Sequence, residues 1–360
     1  LRALPYMKGF ARVLSDMEMG GSTWEHCPRS FLRGQVDRLA GHGLTLQASF
    51  ENEFFLLHRT EGGPVPVDDT VFAATSAMHN GAEVVLAMTE ALFEQGFAVE
   101  TYYPESGPGQ HELSIGYRPA MDAADAQIAY RDTIKGVAAR YGLIASFLPK
   151  IFLDKAGSGC HLNMSLWQDG RNTTGDPSRE SRLSPHSEHF IAGILHHLPA
   201  LCALTVPSNA SYRRIRPHFW AGAFTAWGYD NREAGVRVFS GDGTPKRFEL
   251  KASDATANPY LALGAVLAAG IDGIERELPL PPECRTDPGL LGEAERKEML
   301  IGPLPADLGQ AIAALERDEV LLAALGENRA RTYLAVRKAE WEGLKDLPFE
   351  EETRLLLERY

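Results

Sequence analysis

The sequence is poor in cysteine, in long apolar runs and in positive charge. Its four cysteines, Cys27, Cys160, Cys202 and Cys284, lie far apart with no Cys-x-x-Cys pair. That spacing argues against zinc and against a small disulfide-stapled domain, and it fits a reducing cytoplasm. The longest apolar run, Tyr260 to Ile271, is too short to span a bilayer and is closed by Asn258 and Asp272, so no membrane segment is expected. Lys and Arg number 36 against 48 Asp and Glu, a net charge of -12 at pH 7. Such a balance does not neutralise a phosphate backbone over an extended surface, and nucleic acid is not an expected partner. The chain begins at Leu1 with neither a methionine nor a signal-like stretch, so it is expected to be a piece of a longer protein.

What is present is an ordinary globular composition of 360 residues, 44% apolar and 23% charged, enough to bury a large core. Helical and strand patterns alternate with no repeat, low-complexity break or linker. The pattern predicts a helix over Arg29–Gly41, capped by Ser30, then a strand over Leu44–Leu57 and a helix near Gly81–Gly96. Phe97–Tyr103 and Gln110–Tyr117 read as paired strands joined through Gly107-Pro108-Gly109. A long helix over Ala120–Tyr141 follows, then strands at Leu143–Leu148 and Gly159–Leu166. Further strands are expected at Ala223–Gly228, Gly235–Phe239 and Arg247–Lys251, then a buried helix over Pro259–Ile274. Leu278–Pro305 reads as an irregular excursion, and the last fifty or so residues read as helices. The fold class is α+β, with a large, curved, mostly antiparallel sheet flanked by helices.

Four of these strand-like segments carry six potential hard-metal ligands: Glu51 and Glu53, Glu105 and Glu112, His161, and Glu249. Side chains alternate along a strand, so Glu51 and Glu53 must point the same way. Two carboxylates held that close repel unless a proton or a cation sits between them. Oxygen-rich ligand sets favour Mg²⁺ or Mn²⁺ over zinc, and such ions bridge ATP phosphates. Any one of these glutamates would more simply be a strand-surface carboxylate paired with Lys or Arg. Five in register with a histidine point to a site.

Taken together, several motifs are specific: the Glu51-x-Glu53 strand, the hairpin from Glu105 to Glu112 with its Gly-Pro-Gly-Gln turn, and Gly157-Ser158-Gly159-Cys160-His161. To these add Asn209 to Pro217, Asp230-Asn231-Arg232 and Asn258-Pro259-Tyr260. In this order they resemble the catalytic domain of the glutamine synthetase superfamily over almost the whole chain. The resemblance implies one catalytic domain spanning residues 1–360, without the small N-terminal β-grasp domain that precedes it in the family. It implies two divalent cations, Mg²⁺ or Mn²⁺, one held by Glu53, Glu105 and Glu112 and the other by Glu51, His161 and Glu249, with ATP as co-substrate. It further assigns Arg232, Arg237 and Arg247, with Asn163 and Ser165, to the nucleotide, and Gly157, Arg214 and Lys251 to the acid substrate. Arg232 and Glu249 take the catalytic roles. For Arg232 and Arg237 a solvated ion pair with Asp230 is the plainer alternative, and for Ser165 a core position. Family members form double rings with active sites between subunits, so a homo-oligomer, cytoplasmic and acting on small molecules, is the expectation.

The departures from the family pattern bear on the substrate. Glutamine synthetases place a glutamate for ammonium after a Pro-Gly-Tyr sequence; here the chain reads Pro217-His218-Phe219-Trp220, and no Asp or Glu occurs from Ser208 to Tyr229. An indole offers no anion, but it covers an alkyl or aryl amine and attracts a cationic one through its face. This choice resembles the γ-glutamylpolyamine synthetase-like branch, which makes Trp220 an amine-pocket residue; the alternative is a packing role. Asn163 stands where the family has a second histidine, Ala156 where it has an asparagine, and Lys251 where it has an arginine. The resulting expectation is an ATP-dependent ligase joining glutamate to an organic amine through an acyl phosphate. A true glutamine synthetase and a catalytically silent relative are the alternatives.

Overall fold

The expected strand at Leu44–Leu57 is the spine of the molecule and runs further, from Thr45 to Thr60. Its alternating first half becomes fully buried from Asn52 to Leu57, where protein covers both faces. In the computed structural model, which describes residues 1–360, this strand lies in an 11-stranded sheet. Strand Cys160–Gln168 pairs with its first half, from Cys160 opposite Asn52 to Trp167 opposite Thr45. Strand Gln110–Ile115 takes the other edge, with Glu53 opposite Glu112, and strand Leu143–Ser146 pairs with the far end. Beyond Cys160–Gln168 lie Phe248–Leu250, Val236–Val238 and Trp227–Tyr229 in that order. Only the last pair is parallel, so the mostly antiparallel expectation holds.

Helices Pro28–Gly41, Thr75–Glu94 and Ala120–Arg140 and the central helix Pro259–Glu275 pack around the sheet and share one apolar core with it. The first helix starts earlier than expected. Cys27, not Ser30, is the N-cap and makes no side-chain cap bond; Pro28 at the first helical position presets the backbone for the helix. Helix Pro185–Thr205 has no counterpart in the expected pattern. It is buried on nearly every side and contains Pro199, so it shows no amphipathic stripe. It lies against Pro259–Glu275 so closely that a Cβ on Gly193 would overlap the Ala269 carbonyl.

Two other expectations are shortened. The strand expected over Ala223–Gly228 is confined to Trp227–Tyr229, with Phe224 making only an isolated bridge to Pro303. Leu278–Pro305 is largely irregular but contains the short helix Glu293–Glu298. The C-terminal segment is helical from Leu308 as expected, and its end is tied back where Leu356 and Leu357 pack on Phe55, Leu57 and Leu148. No helix is long and apolar enough to cross a membrane.

Candidate active site

Residues opposite each other in an antiparallel pair project to the same face, so the registers of the spine bring the ligands together. His161 lies opposite Glu51, and Glu112 opposite Glu53. Glu249 enters from the next strand, opposite Asn163. Glu105 lies just past strand Val99–Pro104, where its N–H donates to the Gln110 carbonyl at 2.8 Å. Two trios result, Glu53 with Glu105 and Glu112, and Glu51 with His161 and Glu249; within each, one ligand atom per residue lies within 4.8 Å of the others.

None of the first trio's carboxylates forms an ion pair with a basic side chain, and hydrogen-bond donors face them instead. The Gly159 N–H and the Gln110 amide donate to Glu53 Oε2 at 2.9 and 3.1 Å, and the Ser106 N–H donates to Glu105 Oε2 at 3.0 Å. Burial, and then the charges of Glu51, Glu53 and Glu105, push Glu112 up to about 9. Burial and Glu53 push Glu105 up to about 7. Buried carboxylates crowded in this way need either protons or a hard cation, and a set of oxygen donors fits Mg²⁺ or Mn²⁺.

The second trio has positive charge beside it. His161 Nδ1 is 3.1 Å from Glu51 Oε1 and 4.0 Å from Glu249 Oε2. Lys251 Nζ sits 3.3 Å from His161 Nε2 and 3.7 Å from Glu249 Oε1, and Arg237 donates to Glu249 Oε1 at 3.4 Å. Burial opposes ionisation of Glu51, but hydrogen bonds from His161 and Asn163 and the charge of Lys251 outweigh it, leaving Glu51 down at about 2. Two carboxylates and an imidazole again suit a hard divalent cation that tolerates one nitrogen.

A cleft of about 430 Å³ opens over both trios. Gly157, Arg214, Lys251, Arg232, Arg237 and Trp220 all line it. Arg214 is buried and fixed by a bond from Nη2 to the Ser253 carbonyl at 2.9 Å, while its Nε has no partner. Gly157 does allow a close backbone approach, but to the chain itself, since a Cβ there would overlap the Pro149 carbonyl. Asn163, Ser165 and Arg247 are not among the lining residues. Asn163 donates to Glu51 Oε2 at 3.0 Å, and Ser165 Oγ accepts from Trp167 Nε1 at 2.9 Å. Arg247 is exposed and lies 4.0 Å from the centre of the Phe239 ring, which Arg237 also approaches at 4.2 Å.

At one side the wall is aromatic. Phe72, Phe219 and Trp220 line it; Trp220 is 52% exposed, and the Arg232 guanidinium lies 4.8 Å from the centre of its ring. Asp230 pairs with Arg237 only at 4.0 Å, so Arg232 is not held in that ion pair. Several lining residues lay outside the expected site. Gln110 joins Glu53, the Gly157 carbonyl and Ser158 through one amide nitrogen, and its place in the Gly-Pro-Gly-Gln turn was the available signal. Tyr103, opposite Glu112 on the neighbouring strand, and Lys150, 5.8 Å from the centre of the Phe219 ring, carried no such signal.

The class these features define is that of sites built for two hard divalent cations beneath a cleft lined by arginines. The chain belongs to the glutamine synthetase family: the model described as glutamine synthetase, catalytic domain, matches residues 25–356. It is 39% identical over 341 residues to γ-glutamylpolyamine synthetase GlnA3 of Streptomyces coelicolor, covering 91% of this chain and 72% of that one. It is 38% identical to the glutamine synthetase of Thermus thermophilus over 338 residues, 92% of this chain and 76% of the relative. Among solved structures, GmaS in complex with ADP superposes with a TM-score of 0.84 at 30% identity, covering 94% of this chain and 79% of the other. Family members are ATP-dependent ligases that form γ-glutamyl carbon–nitrogen bonds with divalent cations, and this chain is a ligase of that kind.

Proposed function

We propose that the protein joins the γ-carboxylate of glutamate to an organic amine, converting ATP to ADP and phosphate. The observation that carries this reading is the aromatic wall of Phe72, Phe219 and Trp220, the last two in a segment with no carboxylate from Ser208 to Tyr229. Such a wall favours the carbon chain of an amine, and the indole face favours its cationic end, over bare ammonium.

In this reading Arg214, Gly157 and Lys251 hold the acid, and Arg232 and Arg237, with Arg247, Asn163 and Ser165 further along the strands, serve the nucleotide. Glu53, Glu105 and Glu112 would hold one divalent cation and Glu51, His161 and Glu249 a second; when bound, these ions neutralise phosphate charge. The carboxylate oxygen attacks the γ-phosphorus, the bond to the β-phosphate oxygen breaks and ADP departs. The amine nitrogen then attacks the acyl carbon, the carbon–oxygen bond to phosphate breaks, and the nitrogen loses a proton. Arg232, which lines the cleft, offsets charge on the transferred group, whose transition state is largely dissociative. A homo-oligomer in the cytoplasm is part of the proposal.

Glutamine synthesis from ammonium is the second reading, supported by the 38% identity to the Thermus enzyme beside the 39% to GlnA3. Phosphate release from ATP and glutamate, measured across methylamine, butylamine, putrescine, spermidine and ammonium, separates the two. The proposal expects an organic amine to give the highest kcat/KM; ammonium in that place overturns it.

A further inference from the structure

The loop that carries Trp220 is held in an unfavourable backbone conformation. His218 has φ of 67° and Trp220 of 53°, the left-handed region that L-residues with large side chains rarely adopt. Such a conformation persists only where the surroundings determine it. The determining group is Glu233. Its Oε1 accepts the Trp220 N–H at 2.8 Å and its Oε2 accepts the His218 N–H at 3.2 Å, so one carboxylate grips the two left-handed residues on either side of Phe219. Glu233 is buried, and its own N–H donates to Asn231 Oδ1 at 3.0 Å. Asn231 in turn donates to the carbonyls of Cys284 and Thr286 at 2.8 and 2.9 Å, which fixes the grip to the rest of the fold. From the other side, His218 Nδ1 meets Asp287 Oδ2 at 2.6 Å.

The neighbouring residue completes the arrangement. Arg232 lies over the Trp220 ring while Glu233 holds the Trp220 backbone, so two consecutive side chains set both the orientation of the indole and the start of its loop. Without the grip, only the His218–Asp287 and Arg232–Trp220 contacts are left to oppose the strain that draws Phe219 and Trp220 from the cleft. We infer that Glu233 is a positioning residue for amine selection, acting through the backbone of His218 and Trp220 to hold the aromatic wall in place. The inference rests on the proposed role of Trp220 as that wall.

The test uses Glu233→Ala and Glu233→Gln, each also combined with Trp220→Phe so that the fluorescence of Trp220 is obtained by difference. With butylamine as the probe, Glu233→Ala is expected to raise the amine KM about tenfold while the KM values for ATP and glutamate stay within about twofold. Glu233→Gln, which keeps one acceptor oxygen, should fall between wild type and alanine. Acrylamide quenching of Trp220, read without substrates, should rise in the same order. An unchanged amine KM with unchanged quenching overturns the inference, as does an equal rise in all three KM values. If wild type prefers ammonium, the organic-amine reading fails, and quenching alone then decides whether Glu233 holds the loop. Should the alanine variant lose its cooperative melting transition, the glutamine variant carries the comparison.

Discussion

Lys251 Nζ lies 3.3 Å from His161 Nε2, on the side of the ring away from Glu51. With Lys251 donating as an ammonium, Nε2 accepts, and the ring then carries its proton on Nδ1, 3.1 Å from Glu51 Oε1. A divalent cation held by Glu51, His161 and Glu249 would need an imidazole lone pair free of its proton and would meet the positive charge of Lys251. Lys251 and the cation are therefore competitors for one trio.

Replacing Lys251 with methionine should tighten the weaker of the two Mn²⁺ binding events about tenfold and leave the stronger one unchanged. Calorimetric titration of the nucleotide-free protein reads this directly, without relying on turnover. Weaker binding in the variant would show that Lys251 supports the cation site instead of competing for it.

The first trio predicts proton release. Glu112, pushed to about 9, and Glu105, pushed to about 7, hold protons near neutrality when nothing else offsets their charges. Filling the trio with Mg²⁺ should expel on the order of one to two protons at neutral pH and bind more tightly as pH rises. Titrations in buffers of different ionisation enthalpy measure the number. Release of no proton would contradict the crowding seen among these carboxylates.

Trp220→Glu puts an anion at the aromatic wall. The ratio of kcat/KM for ammonium to that for butylamine should rise about tenfold, because the carboxylate attracts the small cation and the lost indole uncovers the alkyl chain. A ratio that does not move would remove Trp220 from amine selection.

Remote from the cleft, His197 is clamped between Asp318 Oδ2 at 2.6 Å and Asp272 Oδ2 at 3.0 Å. Burial disfavours its charged form, but bonds to the two carboxylates outweigh burial and raise its pKa. Its contribution to stability is complete below the unfolded histidine value of about 6.5 and is lost as pH climbs through the raised folded value. Asp318 has the opposite sign: burial raises it, the His197 bond lowers it further, and its contribution is lost as pH falls through the lowered value. His197→Gln should cost about 3 kcal/mol near neutrality and abolish this alkaline loss. Melting temperatures followed from about pH 6 to pH 9 should converge between variant and wild type; parallel curves would refute the pairing.

The spine and the two carboxylate pairs were legible in the sequence because alternation along a strand is local, whereas the division of the ligands into two trios came from the family resemblance. Glu51 and Glu53 had to share a face, and the Gly-Pro-Gly-Gln turn had to return Glu112 towards Glu105. Helix Pro185–Thr205 was not legible, since a segment buried all round has no stripe to read, although Ser184, which caps it by accepting the Ser187 N–H, was a usable signal. The hold of Glu233 on His218 and Trp220 was also hidden, because it depends on left-handed backbone that no residue type there announces. Arg247 and Ser165 show a third kind of distance between pattern and space. Their strands are as expected, yet both lie off the cleft, where pairing order and not sequence motif decides what a side chain reaches.

The central strand Thr45–Thr60 has a consequence for how such an enzyme diverges. It pairs on one edge with the strand of His161 and on the other with the strand of Glu112, so a one-residue slip would scatter both trios at once. Phe219, Trp220 and Phe72 hang on loops outside that sheet, and changing them leaves every register intact. Substitutions in this wall are thus uncoupled from the pairing that assembles the two trios, whereas substitutions that shift the spine are not.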